Sequence, residues 1–229
     1  MSFHRILLQK IGISLLFSLL TVVSLRGQVT EPSIVAPSLH VGGSLGATLS
    51  QIAFMPRVPQ KQIFGCTSGI SASVENSPYT AISFELNYAL RGWSEQFSAP
   101  RTELAYSRRM HFIEMPLLCQ LFYPIGMVRL GIKMGPQVGY MLGEKSWTQG
   151  SGFTEREMTR HETLASHRLA WGLVGGPLLA FSFGKNRIEL EGRFYYGFND
   201  IFNTTVSDPY SKASEMSVVV KLSYLYQLF

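Results

Sequence analysis

Two glutamates one residue apart are the first place where this sequence could do chemistry. Glu189 and Glu191 lie in the run IELEGRF from Ile188 to Phe194. On a β-strand both would point to one face, about 7 Å apart. A carboxylate pair can share general acid–base work. Arg193 falls on the same face, so a neutralising ion network is the better reading of the triplet. His161, Glu162 and His167 form a second cluster, but their spacing is wrong for the two-histidine helix of a zinc protease. They sit in a polar stretch and read as exposed loop charges. The two cysteines, Cys66 and Cys119, belong to different strands at different heights, so a disulfide between them is not expected. Neither a nucleophile elbow, a phosphate-binding loop nor a paired-cysteine metal motif is present. The sequence therefore nominates no catalytic, cofactor-binding or metal-binding residue, and an enzyme is not expected.

The chemistry must instead be sought in how charge is held. Only 15% of the 229 residues are charged, 46% are hydrophobic and mean hydropathy is +0.13. Typical soluble domains carry about 25% charged residues. That balance excludes a disordered chain, and two cysteines exclude a disulfide scaffold. Residues 1–27 hold Arg5, Lys10 and Arg26 and no acid, so they supply three of the five formal positive charges. The rest of the chain is close to +2, and nothing in it suggests a nucleic-acid partner. The same segment has a basic start, an apolar run from Ile11 to Val23 and a small residue at Gly27. This is the pattern of a cleavable signal peptide; the alternative, a membrane anchor, would need about 20 apolar residues. The reading divides the chain into a signal peptide at 1–27, a short periplasmic segment at 28–38 and one domain at 39–229.

Within 39–229 apolar residues recur at every second position, the period of a strand. Ile82, Phe84, Leu86, Tyr88 and Leu90 alternate with Ser83, Glu85, Asn87, Ala89 and Arg91. Similar alternation runs from Val128 to Leu142, from Ile188 to Phe198 and from Met216 to Leu228. Weaker copies cover 39–49, 65–74, 111–123 and 168–183. Eight strands are predicted, several long enough for the 9–11 residues that cross a bilayer. Long polar connections (50–64, 94–110, 144–167, 200–214) alternate with short turns (75–79, 124–127, 184–187). That order suits a barrel in a membrane, with long loops outside and short turns inside.

Two kinds of barrel share this pattern. A soluble barrel keeps its apolar face inside around a ligand. Here the polar face carries Glu85, Glu114, Glu189 and Glu191 with Arg91, Arg129, Lys133, Arg193 and Lys221, among many glycines. Such a set fits a narrow interior where charges pair, with the apolar face turned to lipid. The expectation is an all-β, eight-stranded antiparallel up-and-down transmembrane barrel. Trp93, Tyr140, Phe198 and Phe202 are expected at its outer aromatic girdle, with Tyr79, Tyr123, Phe183 and Tyr226 at the inner one.

The blocks FELNYALRGWSE (84–95), HFIEMPLLCQLFY (111–123), LGIKMGPQVGYML (130–142) and IELEGRFYYGFNDIF (188–202) resemble the PorT-like small outer-membrane barrels of Bacteroides-type, Gram-negative bacteria. The resemblance covers roughly 39–229. It implies an outer-membrane location, insertion by the barrel-assembly machinery and a role beside envelope or secretion-system proteins. It brings no active site. Such proteins commonly end in an aromatic residue read as an insertion signal, and Phe229 fits, although it is out of phase with the even-numbered apolar face of the last strand. Two functions follow: a structural or interaction barrel in the outer-membrane lipid, or a narrow porin-like channel for small solutes.

Overall fold

The computed structural model describes residues 37–55, 57–165, 167–202 and 212–229. The expectations for a signal peptide at 1–27 and for most of the segment that follows it lie outside these residues. Eight strands form in chain order: β1 (Ser38–Met55), β2 (Gln60–Ser77), β3 (Thr80–Glu95), β4 (Ala105–Ile125), β5 (Val128–Gln149), β6 (Leu169–Phe183), β7 (Asn186–Gly197) and β8 (Lys212–Gln227). Every strand pairs antiparallel with the next, and β8 returns to β1, so the sheet closes as a barrel. Closure leaves no row of unpaired backbone groups facing lipid, which is the condition for a sheet to span a membrane.

The alternation of the sequence becomes the two faces of the wall. Ile82, Phe84 and Leu86 are exposed, while Ser83, Glu85 and Asn87 are buried. The same division holds for Leu190 against Glu189 and Glu191, and for Leu222 against Lys221. The outward apolar run on β4 extends over eleven residues from Ile113 to Tyr123, ten steps along the strand. At about 3.3 Å per residue and a strand tilt near 40°, it covers roughly 25 Å, the height of a bilayer's apolar band. Cys66 and Cys119 are both free thiols on this outer face.

The strands run further than the apolar pattern. β4 and β5 have 21 and 22 residues. The connection expected at 50–64 shrinks to 56–59, and that expected at 94–110 to 96–104. At the opposite end the connections are two residues each: 78–79, 126–127 and 184–185. Gly126 and Gly184 take positive φ of 62° and 58° there, which only glycine adopts freely. A short helix, α1 (Glu155–Glu162), interrupts the connection from β5 to β6.

Two aromatics expected at the outer girdle are not on it. Trp93 is odd-numbered on β3, so it shares the lumenal face with Arg91, and it is 2% exposed. Phe202 packs edge-on against Trp93, with ring centroids 6.2 Å apart. Both belong to a buried cluster inside the loop end of the barrel, with Tyr106, Met110 and Phe112. Tyr140 and Phe198 do face outward, joined by Trp171, as do Tyr79, Tyr123, Phe183 and Tyr226 at the turn end.

Candidate functional site

The lumen is the candidate site, because every charged residue nominated from the sequence points into it or stands at its rim. Strand alternation places Glu85 on β3, Lys133 on β5, Glu189, Glu191 and Arg193 on β7 and Lys221 on β8 at neighbouring heights. They form one cluster. Arg193 donates to both oxygens of Glu85, at 2.8 and 2.6 Å, and to Glu191 at 2.8 Å. Lys221 donates to Glu85 at 2.7 Å and to the Asn87 side-chain carbonyl at 3.1 Å. Lys133 lies 3.0 Å from Glu189, 3.3 Å from Glu191 and 3.6 Å from Glu85. Three carboxylates thus meet three cations in the middle of the barrel.

A second group lies toward the loop end. Arg91 pairs with Glu114 and stands 3.4 Å from Glu215, its guanidinium stacked 4.2 Å from the Tyr195 ring centre. A third group lies toward the turn end, where Arg129 and Arg187 share Glu75 and Arg187 also approaches Glu189 at 3.0 Å. Arg129 therefore does not pair with any of the four nominated acids. Glu75 and Arg187 fall where turns were expected, and Glu215 falls just before the expected start of the last strand at Met216, so the sequence does not nominate them. Counting them, these three groups hold six carboxylates and six cations. Isolated charges buried in such a space would be too costly, whereas paired ones are tolerated.

Little room is left between them. The cavity at mid-barrel, lined by Arg91, Glu114, Arg193, Tyr195 and Lys221 among others, measures about 10 Å³. That is near the lower limit for a single water.

The loop end carries a second construction. Arg108, on β4 and 2% exposed, donates through Nε to the Tyr106 hydroxyl at 2.7 Å. Its Nη atoms donate to Glu144 at 3.1 Å and to the carbonyls of Thr163 and His161 at 2.8 and 2.7 Å. One guanidinium thereby ties the wall to the segment after β5. His161 stacks on Tyr106 with ring centroids 3.6 Å apart and lies 3.2 Å from Glu95, which also takes Arg160. The expectation that His161 is an exposed loop charge is thus corrected: α1 folds inward, and the Arg160 and His161 side chains in its last turn pack against the wall. Glu162 and His167 do remain exposed.

α1 forms at this place because its start is doubly capped. The Thr154 hydroxyl accepts from the Glu157 backbone N–H and the Glu157 carboxylate accepts from Thr154. Glu157 also holds Arg101 at 2.9 Å. Slight burial raises its pKa, but the hydrogen bond from the Thr154 backbone and the Arg101 guanidinium outweigh that and keep it below the usual carboxylate range. Among the described residues no group of three or more histidine, cysteine or acidic side chains is placed to hold a metal. Phe229 is exposed, while its carbonyl accepts from the Leu39 backbone and so ties the last residue to β1.

A family model described as outer membrane protein beta-barrel domain matches residues 28–203. No curated protein sequence matches the chain. Among solved structures the chain is similar to the outer membrane protein OprG from Pseudomonas aeruginosa, at 11% identity over 84% of this chain and 96% of that one, with a TM-score of 0.44. It is also similar to Neisserial surface protein A, at 11% identity over 82% and 98% of the two chains and a TM-score of 0.42. A further likeness is to the attachment invasion locus protein Ail of Yersinia pestis, in complex with the heparin analogue sucrose octasulfate. It has 11% identity over 82% and 99% of the two chains and a TM-score of 0.39.

Proposed function

The chain belongs to the outer membrane protein β-barrel domain family, and we propose that it works in the outer membrane as a closed, non-enzymatic barrel whose role is structural or one of interaction. The observation that carries this reading is the filled lumen. Glu85 of β3 reaches Arg193 of β7 and Lys221 of β8 across the interior, and the cavity beside them is about 10 Å³. An eight-stranded barrel is just wide enough for its own side chains. A solute path would require this network to part, and the buried ion pairs oppose that.

What the barrel offers its surroundings is then its loop end. We place that end outside the cell and the ends of β1 and β8 in the periplasm, following the rule that outer-membrane barrels keep short turns on the periplasmic side. In the same reading export removes residues 1–27, Phe229 is part of the insertion signal, and the four sequence blocks put the chain in the PorT-like branch beside envelope or secretion proteins. The second reading, a narrow channel for small solutes, keeps the same wall but needs a mobile network.

Liposome swelling separates the two. Vesicles carrying the purified protein should take up pentoses no faster than empty vesicles. Uptake that scales with protein content would overturn the closed barrel and favour the channel.

A further inference from the structure

We infer that the outer wall of the β4–β5 hairpin carries a binding site for the phosphate of a membrane lipid headgroup, built from Arg109, Lys145 and Trp147. The inference is independent of whether the lumen conducts.

Three observations converge on this spot. Arg109 and Lys145 are directly opposite each other in the β4–β5 register, and both are exposed. Like charges facing across a strand pair are destabilising, so they are normally separated or offset by an acid. Among the described residues neither is within ion-pair distance of a carboxylate. Both instead converge on one indole: the Arg109 guanidinium lies 5.8 Å and the Lys145 ammonium 5.3 Å from the Trp147 ring centre. Trp147 itself is 44% exposed. The ring's negative face offsets part of the repulsion and leaves two cations side by side with their outer faces open.

Height identifies the occupant. On the same outward face the apolar run of β4 ends at Ile113, and that of β5 ends at Tyr140 and Leu142. Arg109 is four residues beyond Ile113, roughly 10 Å further along the barrel axis. The headgroup layer adds about 5–7 Å to each side of the apolar core, and an arginine or lysine side chain reaches back that far. The register of β5 with β6 ends at Tyr140 and Leu169, so beyond the bilayer core this hairpin has no paired strand on its β6 side, where Arg168 and Ala165 pack on Met141 and the inward-facing Glu144 instead. A lipid whose chains lie along Ile113, Met115 and Tyr140 would bring its phosphate between Arg109 and Lys145. Two charge-assisted contacts to one anion would then replace a like-charge clash.

Native mass spectrometry of the full protein tests the site. The protein is released from nanodiscs of phosphatidylcholine containing a minor fraction of phosphatidic acid, whose headgroup is a phosphomonoester. The wild type should retain one phosphatidic acid in preference to phosphatidylcholine. The double variant Arg109→Gln/Lys145→Gln should lose that retention by at least about tenfold. Arg57→Gln/Lys61→Gln, which removes two other exposed cations, should keep it. Heat-modifiable gel mobility confirms that each variant is a folded barrel. An equal excess of inorganic phosphate should leave the lipid in place, because the acyl chains contribute. Equal retention in wild type and the Arg109/Lys145 variant overturns the proposal, as does no preference over phosphatidylcholine. Displacement by inorganic phosphate would make this an anion site and equally overturn a lipid one.

Discussion

Arg193 of β7 and Glu85 of β3 form a two-point hydrogen-bonded pair across the inside of the barrel, although their strands are not neighbours. The pair is a strut as well as a charge match. Both residues are at most 5% exposed, so neither charge can fall back on water if its partner is lost. Glu85→Ala leaves Arg193, Lys221 and Lys133 with one carboxylate fewer. It should cost about 3–5 kcal/mol, the range for breaking a buried pair. A reversible urea titration in lipid vesicles measures it. The double variant Glu85→Ala/Arg193→Ala should lose less than the sum of the single losses. Strict additivity would mean that the two side chains do not support each other.

The register makes a second prediction. Leu86 is 40% exposed at mid-wall and its neighbours on both sides are lumenal. Leu86→Arg should cost about 2–4 kcal/mol, the penalty for a cation on the lipid face near the midplane. Leu86→Phe should fold like the wild type. If arginine is tolerated in the same folding titration, the outward face of β3 is misassigned.

Arg108 predicts a protease phenotype. Its guanidinium holds Glu144 and two carbonyls of the segment carrying α1. Arg108→Ala should release that segment from the mouth and expose the bond after Arg160 to trypsin. The wild-type protein should be cut there at least about tenfold more slowly, since cleavage follows the population of the open form. Arg108→Lys should resemble alanine, because one ammonium cannot reach all the acceptors of a planar fork. Equal cleavage rates in wild type and Arg108→Ala would contradict a clamped cap.

The cap on α1 has a pH dependence of definite sign. The Glu157 carboxyl is held below its ordinary value in the folded protein. A depressed folded value means the contribution is present above the unfolded pKa, about 4.3, and is lost as pH falls through the folded one. An NMR titration of the Glu157 carboxyl in micelles should therefore show a midpoint below that of an ordinary glutamate in the same micelles. Glu157→Gln should remove the acid sensitivity of the Thr154 amide signal. A midpoint at or above the ordinary value would mean that the capping box and Arg101 do not hold the charge.

The barrel and the sidedness of its strands were legible because lipid imposes a strict period of two. Glu85, Glu189, Glu191 and Arg193 could be placed by parity alone. The pattern fails where the strands leave the bilayer. There the outward positions become Ser94, Ser107, Arg109 and Lys145, and the contrast that marks a strand disappears while its hydrogen bonds continue. Glu95, Tyr106, Arg108 and Glu144 were hidden for that reason. Glu75 and Arg187 were missed at the other end, where strands run almost into two-residue turns. The inward fold of His161 depends on Tyr106 and Glu95, far away in sequence, so no local spacing could announce it.

Conductance of single barrels in a planar bilayer tests the closed lumen most directly. The wild-type protein should insert and show no stable open level at moderate voltage. Glu189→Gln/Glu191→Gln deprives Lys133 and Arg193 of partners and should admit brief openings. A large, steady conductance from the unmodified protein would contradict a lumen closed by its own charges.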